Sequence, residues 1–371
     1  MRNSDILVIG GGIAGLSAAA ALSKHARVLV LEAEEQIGFH SSGRSATMLH
    51  YALGDRLVRA LTLASRPFFD SPSNGFGELG RRMPVLIHAR EEESEALGAL
   101  EAELSLFAQL ERLDADGVHA LCPLLKGDAA HGIADRNGIR LDPHALLQGN
   151  LRQLRSRGGE LRTGARVAKI ERANGVWTAT SEAGEAFSAA ILVNAAGAWA
   201  DGIAVLAGVL PLGLAPKRRT IITFDAPPDT KLEGLPFAKT IGDELYFAPE
   251  SGRLFASPMD EVPSDPCDAQ PDEYEVALAA YRMEERTVVK VEHIHSRWAG
   301  LRTFTPDRRP AAGFAPDSEG FFWLAGQGGF GLQTSPAMAA IVESLISGTP
   351  WPLGDVARGD LLPDRFFRQT A

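Results

Sequence analysis

At 371 residues and 45% hydrophobic, the chain can bury a large core and predicts two domains or one elaborated α/β domain. Its net charge of −10 disfavours nucleic acid and supplies no polybasic patch for anionic lipid. Cys122 and Cys267 are the only cysteines and neither lies in a C-x-x-C, so a disulfide framework and a thiolate metal site are disfavoured; a reducing, cytoplasmic setting is expected.

The chain begins with an apolar run, Asp5-Ile-Leu-Val-Ile, a turn carrying Gly10, Gly12 and Gly15, a small-residue helix from Leu16 to Ser23, and a second apolar run, Arg27 to Leu31. Glu32 then closes the unit, 22 positions after Gly10. In a strand–turn–helix of this kind the first glycine permits the tight turn, the second lets backbone approach a pyrophosphate, and the third lets helix and strand pack closely. The helix N-terminus offers free N–H groups to phosphate, and an acid at the end of the second strand accepts hydrogen bonds from a ribose. A dinucleotide site is therefore expected. Arg2 ahead of an apolar stretch has the look of a signal peptide, but its removal would destroy this turn. No apolar run of about 18 residues exists to span a bilayer.

After Glu32 comes a polar glycine-rich segment, Gly38-Phe-His-Ser-Ser-Gly-Arg-Ser45, too rich in small hydroxyl residues to be an ordinary turn. Asp55 to Phe69 has helical spacing, Pro84 to His88 reads as a short strand, and Glu91 to Leu113 as one long amphipathic helix with an acidic start. Asp142-Pro143 caps a helix to Arg157. Strands follow at 165–172, 176–180 and in the apolar run Ala189 to Gly197, which ends in small residues as a buried parallel strand does beside a ligand. Segments 218–224, 244–248 and 254–257 alternate as in an antiparallel sheet. A Pro- and Asp-rich loop, 260–271, precedes a helix at 272–287 and a strand at 293–304. The chain closes with a strand at 320–326, a glycine turn, Gln327-Gly-Gly-Phe-Gly331, and a helix at 335–346. The nucleotide elements are thus scattered over 10–45, 165–200 and 320–346. An NAD dehydrogenase usually keeps its βαβαβ half contiguous, so this layout favours a flavin. The expected fold is α/β: a discontinuous Rossmann-like FAD-binding domain (1–80, 142–208, 305–371) with an α+β substrate domain on an antiparallel sheet (81–141, 209–304).

Six ordered blocks carry a resemblance: Asp5 to Gly15, Gly38 to Ala46, Leu192 to Ala200, Pro216 to Arg219, Trp298 to Phe304 and Gly320 to Thr334. Together they resemble the FAD-dependent D-amino-acid oxidase and glycine oxidase family over nearly the whole chain, and look closest to its bacterial D-arginine dehydrogenases. The resemblance implies non-covalent FAD. Gly10, Gly12, Ile13, Ala14, Gly15, Glu32 and Ala33 would hold its adenine half, with Val167 against the adenine and Ala196, Gly197 and Trp199 beside the nucleotide. Ser41, Ser42, Gly43, Arg44, Ser45 and Ala46 would run along the pyrophosphate and flavin, and Gly328, Gly329, Phe330, Gly331, Leu332, Gln333 and Thr334 would cover the ring's pyrimidine edge. A helix starting after Gly331 would aim N–H groups where negative charge develops on reduction.

An α-amino acid offers a carboxylate, whose best partner is a bidentate arginine. Arg302 matches the family's carboxylate-binding arginine, Tyr246 its tyrosine partner and Arg219 a further active-site arginine. Gly329 would present its carbonyl to the substrate amine, with Gln333 nearby and His50 in the lid. The implied reaction is oxidative deamination of a D-amino acid by hydride transfer from Cα to flavin N5, giving an imino acid, then a 2-oxo acid and ammonia, with quinone or oxygen as the electron acceptor and no essential metal. Around the substrate side chain the chain departs from its relatives: Leu53 and a residue in Arg82-Met83-Pro84 stand at the expected cation-binding positions, and Phe237 and Lys239 occupy positions that are apolar there. Without a carboxylate the compartment would reject a guanidinium, which points to neutral, apolar or acidic side chains. Alternative readings are a flavin dehydrogenase of 2-hydroxy acids using His40 or His50 as base, and a non-catalytic FAD subunit of a complex.

Overall fold

The computed structural model describes residues 2–73, 75–354 and 356–367; Met1 and residues 368–371, which fall in the expected FAD-binding segments, lie outside them. The strand Ile6–Ile9, buried along its length, pairs in parallel with Val28–Leu31 on one side and Ile191–Asn194 on the other. The full sheet runs Glu160–Arg162, Val28–Leu31, Ile6–Ile9, Ile191–Asn194, Phe321–Ala325, Ala311–Phe314, parallel except for the last pair. Both faces of such a sheet are covered, which is why its strands read as unbroken apolar runs. Helices Ile13–Leu22, Pro143–Ser156 and Gly331–Ser347 cover one face. Trp177 and Phe187, from a four-stranded sheet, cover the other together with helix Ala200–Leu206.

A second, nine-stranded sheet takes its strands from elsewhere in the chain. Its order is Val262–Pro263, Ala215–Phe224, Arg253–Ser257, Tyr246–Glu250, Phe237–Thr240, Val85–Ala89, His131–Asp135, Glu111–Leu113, with Ile294–Phe304 also paired to Ala215–Phe224. That last pairing is the longest register in the molecule, running from Ala215↔Phe304 to Phe224↔Ile294. It holds Arg219, Ile221, Gly300 and Arg302 on neighbouring strands. A small three-stranded sheet of Met48–Leu49, Ile139–Leu141 and Gly80–Arg82 ties the segment after the glycine-rich loop to the rest.

The fold corrects several expectations. The long helix expected over 91–113 is a 3-10 turn at Glu91–Glu93, a helix at Ser94–Leu104 and an edge strand at Glu111–Leu113. The apolar spacing misled because Leu97 and Leu104 alone are buried on that helix, while Leu106 is exposed and Leu113 enters the core by pairing with the strand His131–Asp135. The last helix begins at Gly331 rather than Ser335 and accommodates Pro336. Where the proline lacks an N–H, Ser335 Oγ donates to the freed Leu332 carbonyl, and Ala337 N donates to Ser65 Oγ. Strands His131–Asp135, Ile139–Leu141 and Phe237–Thr240 and helix Ala115–Leu121 went unread in the sequence.

Candidate functional site

The glycine turn is built for close approach. Gly10 has φ +113°, and a Cβ there would meet the Ala195 carbonyl carbon at 2.8 Å. A Cβ on Gly15 would strike the Gly10 carbonyl. These two glycines answer to the protein's own packing. Gly12 is different: its missing Cβ would find only Ser42 Oγ, at 3.4 Å, and the residue faces open space. That is the geometry left for a ligand's backbone contact rather than for a protein neighbour. Glu32 is 9% exposed; its two oxygens accept from Gly11 N at 2.6 Å and Glu34 N at 2.9 Å, leaving lone pairs for hydroxyl donors. Burial raises its pKa, against the lowering by those two backbone bonds. Ile13 N, at the start of the helix, donates to Ser42 Oγ at 3.0 Å.

From this turn a single cavity of about 450 Å³ runs past Ser41, Ser42 and Ala46 to Arg302, within the size range of small-molecule and cofactor sites. At its nucleotide end stand Gly10, Gly12, Ile13, Ala14, Glu32, Ala33, Val167, Ala196, Gly197 and Trp199. Along its length stand Arg44, Ser45, Gly328, Gly329, Gly331 and Leu332. The segment after Glu32 is stapled to the substrate sheet. Ser41 Oγ donates to the Leu301 carbonyl at 2.6 Å and Trp298 Nε1 to the Arg44 carbonyl at 3.2 Å. The Arg44 side chain is spent on the same join: it donates to the Phe39, Ala269 and Ala299 carbonyls and pairs with Asp268 at 2.5 Å. The Arg44 side-chain nitrogens are thus engaged by protein partners, and the residue also borders the cavity. Ser45 Oγ accepts from Thr47 N.

At the other end, Arg302, Arg219, Tyr246, Ile221, Phe237 and Lys239 border the cavity from the nine-stranded sheet. Arg219 lies 6.0 Å from the Tyr246 ring centroid. Arg302 is under Gly329, whose missing Cβ would come within 2.5 Å of the guanidinium carbon and closer still to two of its nitrogens. Glycine at 329 is therefore a condition for Arg302 to occupy this place. Gly328, at φ +54°, donates its N–H to the Thr303 carbonyl and so fixes the turn to the arginine's own strand. Glu261 sits behind the arginines, 3.5 Å from Arg302, 3.8 Å from Arg219, 3.0 Å from Lys217 and 2.8 Å from Arg308. Burial works against its ionisation, but bonds from Arg308 and Lys217 and the charges of Arg308 and Arg302 hold it down at about 2. Burial, and then the charge of Arg219, push Arg302 down to about 9, which leaves it cationic at neutral pH. Asp260 lies 3.9 Å from Arg219, so two carboxylates stand against four cations, which leaves this end of the cavity positive and fitted to an anion.

Five of the expected cofactor residues do not border the cavity: Gly15, Gly43, Phe330, Gln333 and Thr334. Gln333, expected near a substrate amine, is buried and pairs with the His50 backbone (at 3.3 Å both ways) and Thr62 Oγ1 at 2.8 Å. Its side chain clamps the helix Gly331–Ser347 to the lid segment. Met83 is buried among Met48, Phe237 and Tyr246 and is not part of the wall, whereas Leu53 is. His50 borders the cavity, its ring 5.4 Å from that of Phe237. Burial, aided by the charge of Lys239, pushes it down to about 3, so it is neutral. His40 lies at the nucleotide end, bonded to Glu34 at 3.1 Å and packed on Trp199. Glu261, Met48, Ile221 and Met259 were missed in the sequence; the pairing of Lys217 with Pro263 is what brings Glu261 to the arginines, and no local signal carries it.

A family model described as FAD dependent oxidoreductase matches residues 5–345. Glycine oxidase from Bacillus licheniformis is 26% identical over 94% of each chain. Among solved structures, glycine oxidase from Geobacillus kaustophilus superposes with a TM-score of 0.82 at 21% identity, covering 96% of this chain and all of that one. The dithionite-reduced L-alpha-glycerophosphate oxidase from Mycoplasma pneumoniae with FAD bound gives a TM-score of 0.85 at 17% identity, covering 94% and 95%. At these identities the superpositions speak for the fold.

Proposed function

The chain belongs to the FAD dependent oxidoreductase family and uses FAD; on that premise we propose that it carries out oxidative deamination of D-amino acids. The observation that carries the reading is the pair Arg302 and Arg219, with Tyr246, at one end of the cavity whose other end is the dinucleotide turn. The cofactor is held non-covalently, with Glu32 on its ribose, the Gly12 turn and Ile13 N-terminus at its phosphates, and the 328–332 turn at its flavin edge. FAD, when bound, would supply the oxidising power for hydride removal from the substrate Cα. Arg302 holds the α-carboxylate through two parallel hydrogen bonds, Arg219 adds charge and the Tyr246 hydroxyl a further donor. The Gly329 carbonyl accepts from the amine, which must reach the site neutral to release its lone pair as the C–H bond breaks. The imino acid that forms adds water and yields a 2-oxo acid and ammonia. The division into FAD-binding segments 1–80, 142–208 and 305–371 and substrate segments 81–141 and 209–304 is part of the same proposal, supported by which strands enter which sheet.

An amine is preferred over a 2-hydroxyl as the oxidised group because a hydroxyl needs a base. His50 is held near 3 and His40 is engaged at the nucleotide end with Glu34. D-Arginine is not the substrate proposed: Glu32 and Glu34, at the nucleotide end, are the acidic residues of the wall among the described residues, and an unpaired buried guanidinium costs several kcal/mol. Anaerobic mixing of the holoenzyme with D- and L-amino acids and 2-hydroxy acids tests the reading; bleaching of the flavin by hydroxy acids alone overturns it. Arg302→Ala should raise KM by about tenfold to a hundredfold, the worth of charge-assisted bonds of roughly 1.5–3 kcal/mol. An unchanged KM removes Arg302 from its assigned role. Oxygen consumption set against dye reduction identifies the acceptor, quinone or oxygen.

A further inference from the structure

Resting on the amino-acid reading above, we propose that the substrate carries a second carboxylate at the far end of its side chain, received by Lys239: the enzyme is one for dicarboxylic amino acids. Lys239 lies on the strand Phe237–Thr240 directly opposite Tyr246, so the two side chains share the sheet face that borders the cavity. The residue is 3% exposed and stands among Met48, His50, Phe237 and Tyr246, a wall otherwise apolar or neutral.

Burying an ammonium group costs several kcal/mol unless it is paired. A methionine would complete such a wall without that cost. The ion pair Lys239 makes is with Asp243, two-thirds exposed in the turn that follows and itself open to water; its remaining bond is a long one, 3.5 Å, to the Thr240 carbonyl. Asp243, exposed on its own side, keeps water as an alternative partner. It can therefore yield the ammonium to a substrate group that arrives inside the cavity.

The charge pattern agrees. The α-carboxylate occupies Arg302 and Arg219, and Lys239 is a third cation at the substrate end of the cavity, with no carboxylate of the wall beside it. The strands of Lys239 and Arg219 are three steps apart in the sheet, roughly 14 Å between backbones at about 4.8 Å a step. Both residues border the cavity, so cations separated by that span suit opposite ends of one small molecule rather than a single group.

Rates of anaerobic flavin reduction decide the matter, using the holoenzyme with aspartate, glutamate and 2-aminoadipate, each against its side-chain amide (asparagine, glutamine and the 6-amide of 2-aminoadipate), both enantiomers of each, and 2-hydroxyglutarate. One dicarboxylate should exceed its neutral isostere at least a hundredfold in kcat/KM. Lys239→Met should collapse that ratio below about fivefold, through KM of the dicarboxylate, and Lys239→Arg should keep most of it. Equal rates for every dicarboxylate and its own amide in the unaltered enzyme overturn the inference without any variant, while leaving the amino-acid reading intact. A preference that survives in a flavin-loaded Lys239→Met enzyme also overturns it. Reduction by 2-hydroxyglutarate and by no amino acid sinks the amine reading but supports the second carboxylate; reduction by nothing in the panel overturns both.

Discussion

Replacing Gly329 by alanine adds one methyl group, and its effect follows from where Arg302 lies. The new Cβ would stand 2.5 Å from the arginine's Cζ, whereas carbon atoms settle at about 3.5–4.0 Å. The guanidinium must therefore retreat by roughly 1–1.5 Å, or the turn must lift by as much. The turn is anchored by the Gly328 N–H to the Thr303 carbonyl, so part of the shift falls on the arginine. A displacement of about 1 Å in a positioning group costs on the order of a hundredfold in rate, or about 2.7 kcal/mol. Gly329→Ala should thus lower kcat/KM for the best amino-acid substrate about a hundredfold. The flavin should still load, because the Gly12 turn and Glu32 lie at the other end of the cavity. Steady-state kinetics beside the flavin-to-protein absorbance ratio give the answer. A kcat/KM within threefold of the unaltered enzyme would mean that Arg302 does not depend on this glycine, and the site geometry argued above would be wrong.

Glu32→Gln keeps the shape of the carboxylate and one acceptor while removing the charge, so FAD should dissociate about tenfold to a hundredfold more readily by equilibrium dialysis; unaltered retention removes Glu32 as the ribose anchor. Acid should weaken the fold through His50 and His88, both buried and held neutral at about 3 by burial, with the charges of Lys239 and Arg286 respectively adding to it. The unfolded chain binds these protons near 6.5 and the folded one does not, so stability falls as pH drops below 6.5, by about 2 kcal/mol per histidine at pH 5. His88→Leu should flatten the fall in Tm between pH 7.5 and pH 5; a variant that loses as much as the unaltered protein over that range would refute this account of His88.

The dinucleotide turn was legible because its causes are local. Gly10, Gly15 and Glu32 act within one strand–helix–strand unit, where Gly10 and Gly15 meet across five residues and Glu32 bonds back to Gly11 N. Helices with a side-chain cap were legible for the same reason: Asp55 accepts from Val58 N and Asp142 from Ala145 N, each three residues on. The segment 91–113 was not, since its helical spacing continues past Leu104 while the chain turns to pair Arg112 with Ile133, a partner 21 residues away that periodicity does not see.

Sequence by itself determined the parallel nucleotide sheet, because apolar runs and turn glycines encode contacts near in the chain; Arg302, Tyr246 and Arg219 stood out only through the family resemblance. Tertiary structure alone decided what surrounds them. It made Arg44 and Gln333 fasteners of the scaffold, since their hydrogen bonds go to carbonyls and hydroxyls from distant segments. It brought Glu261 behind the arginines through the register of Lys217 with Pro263, and set Lys239 beside Tyr246 on one wall. Charge balance in a buried cavity is a sum over residues far apart in sequence, and only the folded sheet performs that sum.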